Sequence, residues 1–204
     1  MKAVILCDGD IPQKRIIERE ISGSDLFIAA DGGAYHAQKL GLQPDVIIGD
    51  LDSYKVTGTE TAEVIHDKDQ ETNDFEKALA HALNRSATEA VVFGATGKRL
   101  DHTLKNLSVL LQFDASFNSI LLMDDYAVMK MIHSPFKESF EPGTILSLFP
   151  LSGKVEGITT KGLKYPLKNE DLENGVRDGS SNESIEKTVE IEFKKGDLLL
   201  LINH

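Results

Sequence analysis

Short apolar runs alternate with helical stripes along the first part of the chain. KAVILC, DLFIAA, DVIIGD, AVVFGA and SILLMD are apolar almost throughout, the pattern of strands buried on both faces. Between them, GAYHAQKLGL, NDFEKALAHALNR and DHTLKNLSVLLQF repeat at helical spacing. In the second of these, Phe75, Ala78, Leu79, Ala82 and Leu83 form one apolar stripe. A further short strand is expected at Val64 to His66. Alternation of this kind predicts an α/β domain, a mainly parallel sheet covered by helices. After YAVMKMI the period changes. GTILSLFPL, GKVEGITTKGLKY and KTVEIEFKKGDLLLLIN carry period-two patterns and turn glycines, and Val189, Ile191 and Phe193 alternate with Glu190 and Glu192. Gly196-Asp197 predicts a hairpin turn before Leu198 to Ile202. No helix is expected here, so residues from 134 onward read as a small all-β domain. Its core is thin enough to need support from the first domain or from a second subunit. Within it, NEDLENGVRDGSSNESIEK reads as a long polar loop.

Charge narrows the partners. The net charge is -11, from 33 acidic and 22 basic residues, which argues against nucleic acid as a partner because phosphate backbones need a concentrated basic surface. A small phosphate ligand needs only a local site or a metal. The one cysteine, Cys7, excludes a disulfide within the chain, and a reducing cytoplasm is the expected location. The first apolar run is short, ends at Asp8 and lacks a small-residue cleavage pattern, so no signal peptide is expected. No run is long enough to span a bilayer.

In an open α/β sheet, ligands bind beyond the carboxyl ends of the strands, and four segments set polar residues there. AADGGAY puts Asp31 after a strand, with Gly32 and a helix start behind it. IIGDLDS puts Asp50 and Asp52 after the next. HDKDQETNDFEK leads from a short strand into a helix, with Thr72 or Asn73 as N-cap and Asp74 in the first turn. FGATGKRLDH brings Gly94, Gly97, Lys98 and Arg99 to a strand end, with Asp101 at a helix start. Asp31 and Asp101 also suit a plain turn and a plain N-cap. Asp50-Leu51-Asp52 is different: two carboxylates that close repel unless a proton or a cation sits between them. A hard ion such as Mg2+ takes oxygen ligands of this kind together with substrate phosphates. Asp-x-Asp pairs also occur in metal-dependent glycosyltransferases and in phosphatases with an aspartyl nucleophile. GATGKR is not a P-loop: its glycine spacing is too short and no Ser or Thr follows Lys98.

Taken together and in this order, ADGGA, PDVIIGDLDS, DQETNDFEKAL and GATGKRLDHTLKNL resemble the thiamine pyrophosphokinase (thiamine diphosphokinase) family. GLKYPL and GSSN extend the likeness more weakly into the second domain. The resemblance implies a Rossmann-like nucleotide-binding and catalytic domain over 1–133, a thiamine-binding β-sandwich over 134–204, and a homodimer sharing its active sites. It implies transfer of a diphosphoryl group from ATP to the thiamine hydroxyl, with AMP released and Mg2+ required. Asp50, Asp52 and Asp74 would be catalytic metal ligands, with Asp101 a further catalytic carboxylate. Asp31, Gly32, Gln70, Thr72, Lys77, Gly94, Arg99 and His102 would line the nucleotide site. Ser181 and Asn182 would bind thiamine. A non-catalytic thiamine sensor is the reading from another class. The chain departs from the family at Gly97-Lys98-Arg99, where the family commonly has Gly-Gly-Arg, and in having no tryptophan.

Overall fold

Each apolar run of the first part of the chain is a strand in the computed structural model, which describes residues 1–204. In chain order the elements are β1 (Lys2–Leu6), α1 (Lys14–Ser22), β2 (Leu26–Ala30), α2 (Gly33–Leu40), β3 (Val46–Gly49), β4 (Glu63–His66), α3 (Asp74–Asn84), β5 (Glu89–Phe93), α4 (Leu100–Phe113) and β6 (Ser119–Met123). The strands lie in the order β6-β5-β1-β2-β3-β4, and every neighbouring pair is parallel. β2 and β3 are buried along their whole length, as expected of strands covered on both faces. From β1 the chain adds strands on one side through β4, then returns to add β5 on the other side. That reversal between β1 and β5 is a topological switch point, where the loops beyond the strands part and leave a crevice. The order keeps four strands on the β1 side, unlike the 3-2-1-4-5-6 order of the six-stranded dinucleotide fold. α1 lies outside the helices expected from the pattern. Its sequence, KRIIEREIS, buries Ile17 and partly buries Ile16 and Ile21, a short apolar face set among charged residues.

The second unit is β7 (Ala127–Ile132), β8 (Phe136–Ser139), β9 (Ile145–Pro150), β10 (Lys154–Lys161), β11 (Lys168–Glu173), β12 (Gly179–Glu183), β13 (Thr188–Glu192) and β14 (Leu198–Asn203), with no helix. β12-β9-β14-β7 and β11-β10-β13-β8 are antiparallel sheets that share one core of buried side chains, including Leu146, Leu148, Ile158, Leu172, Val189, Ile191, Leu198 and Leu200. This is a β-sandwich.

Three expectations change. The compact units are Met1–Asp125 and Tyr126–His204, ahead of the 133/134 boundary suggested by the texture of the sequence. β7 falls in the second unit because it pairs with β14 along its whole length. The polar stretch read as a loop contains β11 and β12, whose exposed edges carry charged and hydroxyl side chains, while Leu172 and Asn182 point inward. Gly196-Asp197 does not close a hairpin, since β13 and β14 belong to different sheets. The chain crosses between the sheets there. Gly196 has φ 109°, and a Cβ would lie 2.5 Å from the Lys154 carbonyl oxygen, so only glycine fits the crossing. No helix is long and apolar enough to cross a membrane.

Candidate active site

The carboxyl ends of β1, β2, β3 and β5 open into a cavity of about 620 Å³. Its wall includes Cys7, Asp8 and Gly9 after β1, Asp31 and Gly32 after β2, Asp50 and Asp52 after β3, and Gly94 and Ala95 after β5. Gln70, Thr72, Asn73, Asp74 and Lys77 come from the approach to α3 and its first turn. Gly97, Lys98, Arg99, His102 and Asn106 come from the glycine loop and α4.

Three carboxylates converge: one oxygen each of Asp31, Asp50 and Asp74 lies within 4.8 Å of the others. Each is held by backbone groups. Buried Asp31 sits at φ 40° and accepts N–H bonds from Ser53 (3.3 Å) and Tyr54 (3.1 Å), which anchors the loop after β3. Asp50 accepts from Gln70 Nε2 at 3.1 Å and from the Asp52 N–H at 3.2 Å. The Gln70 amide, with help from the Asp52 N–H and the Lys77 charge, holds the Asp50 carboxyl below the usual carboxylate range. Asp74 Oδ1 accepts from the Asp50 N–H at 3.3 Å and lies 3.5 Å from Lys77 Nζ. Burial, reinforced by the Asp31 and Asp50 charges, pushes the Asp74 carboxyl up, although Lys77 opposes it. The site thus gathers more negative charge than its own groups neutralise.

Asp52 is not in this cluster. Leu51 takes φ 58°, the chain turns back on itself, and the Asp52 N–H rather than its carboxylate faces Asp50. The Asp52 carboxylate is exposed on the cavity wall and accepts from Ser53 Oγ at 2.9 Å. Asp31, which a turn would have explained, stands with Asp50 and Asp74 instead.

The other expected residues fall into place unevenly. Gly32, Gly94 and His102 line the cavity. Thr72 lines it too, with Oγ1 bonded to Asp69 at 2.7 Å. Lys77 is buried and donates to the Asp67 carbonyl at 3.1 Å, so it joins the start of α3 to the end of β4. Arg99 and Asp101 bind each other at the start of α4, with Arg99 Nε 3.1 Å from Asp101 Oδ1, and the guanidinium holds the Asp101 carboxyl below its usual range. Only Arg99 of that pair is on the wall. Ser181 and Asn182 belong to the second unit, on β12. Ser181 is exposed, at φ 56°. Asn182 is buried, and its amide is occupied by backbone: Oδ1 accepts from Tyr165 (3.0 Å) and Glu183 (2.9 Å), and Nδ2 donates to the Tyr165 carbonyl (2.8 Å). Asn182 therefore pins the segment carrying Tyr165, with its Oδ1 accepting twice and one of its two Nδ2 hydrogens donated to backbone.

Two features escaped the sequence reading. Asp8 and Gly9 follow β1, and the strand-end rule that found Asp31 and Asp50 would have found them. Asn106 is buried on α4 beside Val109 and Leu110. It donates to the Ala95 carbonyl and accepts from Asn73 Nδ2, both at 2.8 Å. Asn73 caps α3 by accepting from the Glu76 N–H at 2.9 Å. The glycine loop and the helix end that carries Asp74 are thereby tied through one amide. A polar residue at a core position of a helical stripe was the available signal.

The family profile described as thiamin pyrophosphokinase, catalytic domain, matches residues 17–122, and that described as thiamin pyrophosphokinase, vitamin B1 binding domain, matches residues 132–198. The chain is 30% identical over 199 residues to thiamine pyrophosphokinase 1 of Oryza sativa subsp. japonica, covering 81% of this chain and 74% of that protein. It is 28% identical over 185 residues to thiamine pyrophosphokinase of Bacillus subtilis (strain 168), covering 86% of each. The crystal structure of thiamine pyrophosphokinase from Bacillus subtilis superposes with a TM-score of 0.84 at 25% identity, covering 100% of this chain and 99% of that one. Thiamin pyrophosphokinase from Candida albicans shares the fold, with a TM-score of 0.86 at 19% identity over 99% of this chain and 88% of that one.

Proposed function

The chain belongs to the thiamin pyrophosphokinase family, and from that premise we propose that its first unit binds ATP and that the protein is a Mg2+-dependent thiamine diphosphokinase. The observation that carries the reading is the convergence of Asp31 and Asp50, at adjacent strand ends, with Asp74 of the first turn of α3, within the segment matched by the catalytic profile.

In the reaction, the thiamine hydroxyl oxygen attacks the β-phosphorus of ATP in line. The bond from that phosphorus to the α–β bridging oxygen breaks, AMP leaves with the electron pair, and the hydroxyl proton is released. Attacking and leaving oxygens both carry negative charge, so positioning and cation charge supply most of the catalysis. The donor set fits a hard divalent ion: three carboxylates offer one oxygen each, and burial leaves Asp74 short of compensating charge. Asp31, Asp50 and Asp74 would hold Mg2+, with exposed Asp52 reaching it through water or phosphate. The ion would supply positive charge on the phosphate oxygens. Gln70 orients Asp50, Lys77 neutralises part of Asp74, and Arg99 and His102 face the nucleotide. A loose transition state makes little demand on a base.

Thiamine binding is assigned to the second unit, where Ser181 presents an exposed hydroxyl and Asn182 fixes the Tyr165 segment. The protein is proposed to act in the cytoplasm as a homodimer, with the sandwich of each subunit completing the partner's site. The expected result is a dimer at assay concentration by sedimentation equilibrium. An active monomer would remove that part of the reading.

Incubation with ATP, Mg2+ and thiamine, followed by phosphorus NMR, tests the activity. Equal amounts of AMP and thiamine diphosphate are expected, and chelation of the metal should abolish both. ADP with thiamine monophosphate would mean attack at the γ-phosphorus. Binding without turnover would mean a sensor.

A further inference from the structure

The cavity wall carries five carboxylates, Asp8, Asp31, Asp50, Asp52 and Asp74, but only three permanent cations, Lys77, Lys98 and Arg99. Lys77 is buried between the Asp67 carbonyl and Asp74, and Arg99 is paired with Asp101 at the start of α4 in an exposed ion pair that leaves it available to an anion as well. Lys98 is different. It stands at the tip of the glycine loop, exposed, and its Nζ lies 2.9 Å from Asp8 Oδ1 and 3.3 Å from His36 Nε2. The same His36 nitrogen is 3.2 Å from Asp8 Oδ1. Three loops or helix starts, after β1, after β2 and after β5, thus meet at one ammonium on the cavity rim.

An exposed pair such as Lys98–Asp8 is worth little by itself and is readily exchanged. An oligophosphate entering the cavity offers the ammonium several anionic oxygens in place of one, and lysine serves phosphates as a mobile point charge. The backbone adds to the argument. Lys98 has φ 51°, a conformation that costs a side-chain-bearing residue about 1–2 kcal/mol relative to glycine. Of its two contacts, Asp8 is exposed and His36 is mostly buried, and neither belongs to the apolar core.

We propose that Lys98 is a parked phosphate ligand: Asp8 and His36 hold its ammonium at the rim, and it transfers to the oligophosphate of the bound nucleotide. The proposal rests on the reading of the cavity as an ATP site. Asp8 is then a competitor for the ammonium, and removing its charge favours the nucleotide-bound arrangement.

Titration calorimetry of the full-length protein with MgATP and, separately, with AMP reads this directly. Lys98→Met is expected to weaken MgATP binding about tenfold, in line with loss of one charge-assisted contact. AMP, which lacks the β- and γ-phosphates, should bind nearly as before. Lys98→Gly should do the same while leaving thermal stability equal or higher, because glycine relieves the backbone; Lys98→Arg should restore most of the affinity. Asp8→Asn should tighten MgATP several-fold, and this gain should shrink in the Lys98→Met background, the coupling that a double-mutant cycle isolates. Unchanged MgATP affinity in Lys98→Met, equal losses for MgATP and AMP, or an Asp8→Asn gain that is independent of residue 98 would each overturn the proposal. A wild type that forms thiamine diphosphate with any of those results would leave the activity standing and remove Lys98 alone; a wild type that binds no MgATP removes both.

Discussion

Asp50→Asn and Asp74→Asn each lower turnover by about 10²–10³-fold or more, the scale of losing one preorganised electrostatic group at a charged transition state, while circular dichroism stays that of the native protein. The two side chains hold oxygens within one 4.8 Å cluster with Asp31, so either change takes a charge from the place where a cation must sit. Asp74→Asn has a second consequence. Its carboxylate is half-buried beside two other carboxylates, with Lys77 as the only facing cation at 3.5 Å. Burial and like charge outweigh that cation, so the ionised group costs stability in the metal-free protein. The metal-free variant should therefore melt at the same temperature as wild type or higher. Added Mg2+ should raise the melting temperature of wild type and have little effect on the variant, as expected of a ligand that binds the folded state through this group. Asp52→Asn is expected to cost much less, about tenfold, because its carboxylate lies outside the cluster. A loss for Asp52→Asn as large as that for Asp74→Asn would return Asp52 to the metal set in place of Asp31.

The fold of the first unit was legible because most of its strands are buried on both faces, which writes a continuous apolar run into the sequence. β1, β2, β3, β5 and β6 announce themselves in this way and α2 to α4 by an apolar stripe, while β4, with no buried residue, shows only as Val64-Ile65. α1 was not expected although Ile16, Ile17 and Ile21 share one face, because that stripe is short and lies within a run of charged residues. In the second unit, half-buried strands such as β13 were readable from alternation, but sheet membership was not. Whether β14 pairs with β13 or with β7 and β9 depends on contacts distant in sequence, and Gly196-Asp197 looks the same in a hairpin as in a crossing between sheets. β12, rich in serine, carries no strand signal at all. The site divides similarly. The strand-end rule located Asp31, Asp50 and the glycine loop, and the ordered motifs supplied their family. What it could not supply was which carboxylates meet. Asp50 and Asp52 are neighbours in sequence, yet a single left-handed residue, Leu51, separates them, whereas Asp31 and Asp74 arrive from β2 and α3.

That meeting depends on a residue with no side chain. Gly49 ends β3 and pairs with His66 of β4. A Cβ placed on it would stand 2.7 Å from Asp31 Cβ and 2.9 Å from Asp74 Oδ1, closer than such atoms approach in folded proteins. Neither neighbour can simply rotate away. Asp31 is fixed by two N–H bonds from Ser53 and Tyr54, and its Cα is itself 3.3 Å from the added atom. Asp74 is fixed by the Asp50 N–H and by the capped start of α3. Gly49→Ala must therefore part the end of β2 from the start of α3, which pushes Asp31 and Asp74 away from each other. Overpacking of this kind costs about 1–3 kcal/mol, enough to be seen in a urea titration but not to unfold a domain of ordinary stability. The effect on turnover should be larger, about 100-fold, because a displacement near 1 Å in groups that position a reaction has that scale. Gly23→Ala is the control: it closes α1 with φ -103°, and its added Cβ would come no nearer than 3.9 Å to any atom. Its stability should stay within about 0.5 kcal/mol of wild type, as for most surface changes, and its rate should be unchanged. If Gly49→Ala lost stability but kept wild-type turnover at saturating ATP, Mg2+ and thiamine, the spacing of Asp31 and Asp74 would not matter to the reaction, and the metal set would have to be sought among the remaining carboxylates of the cavity.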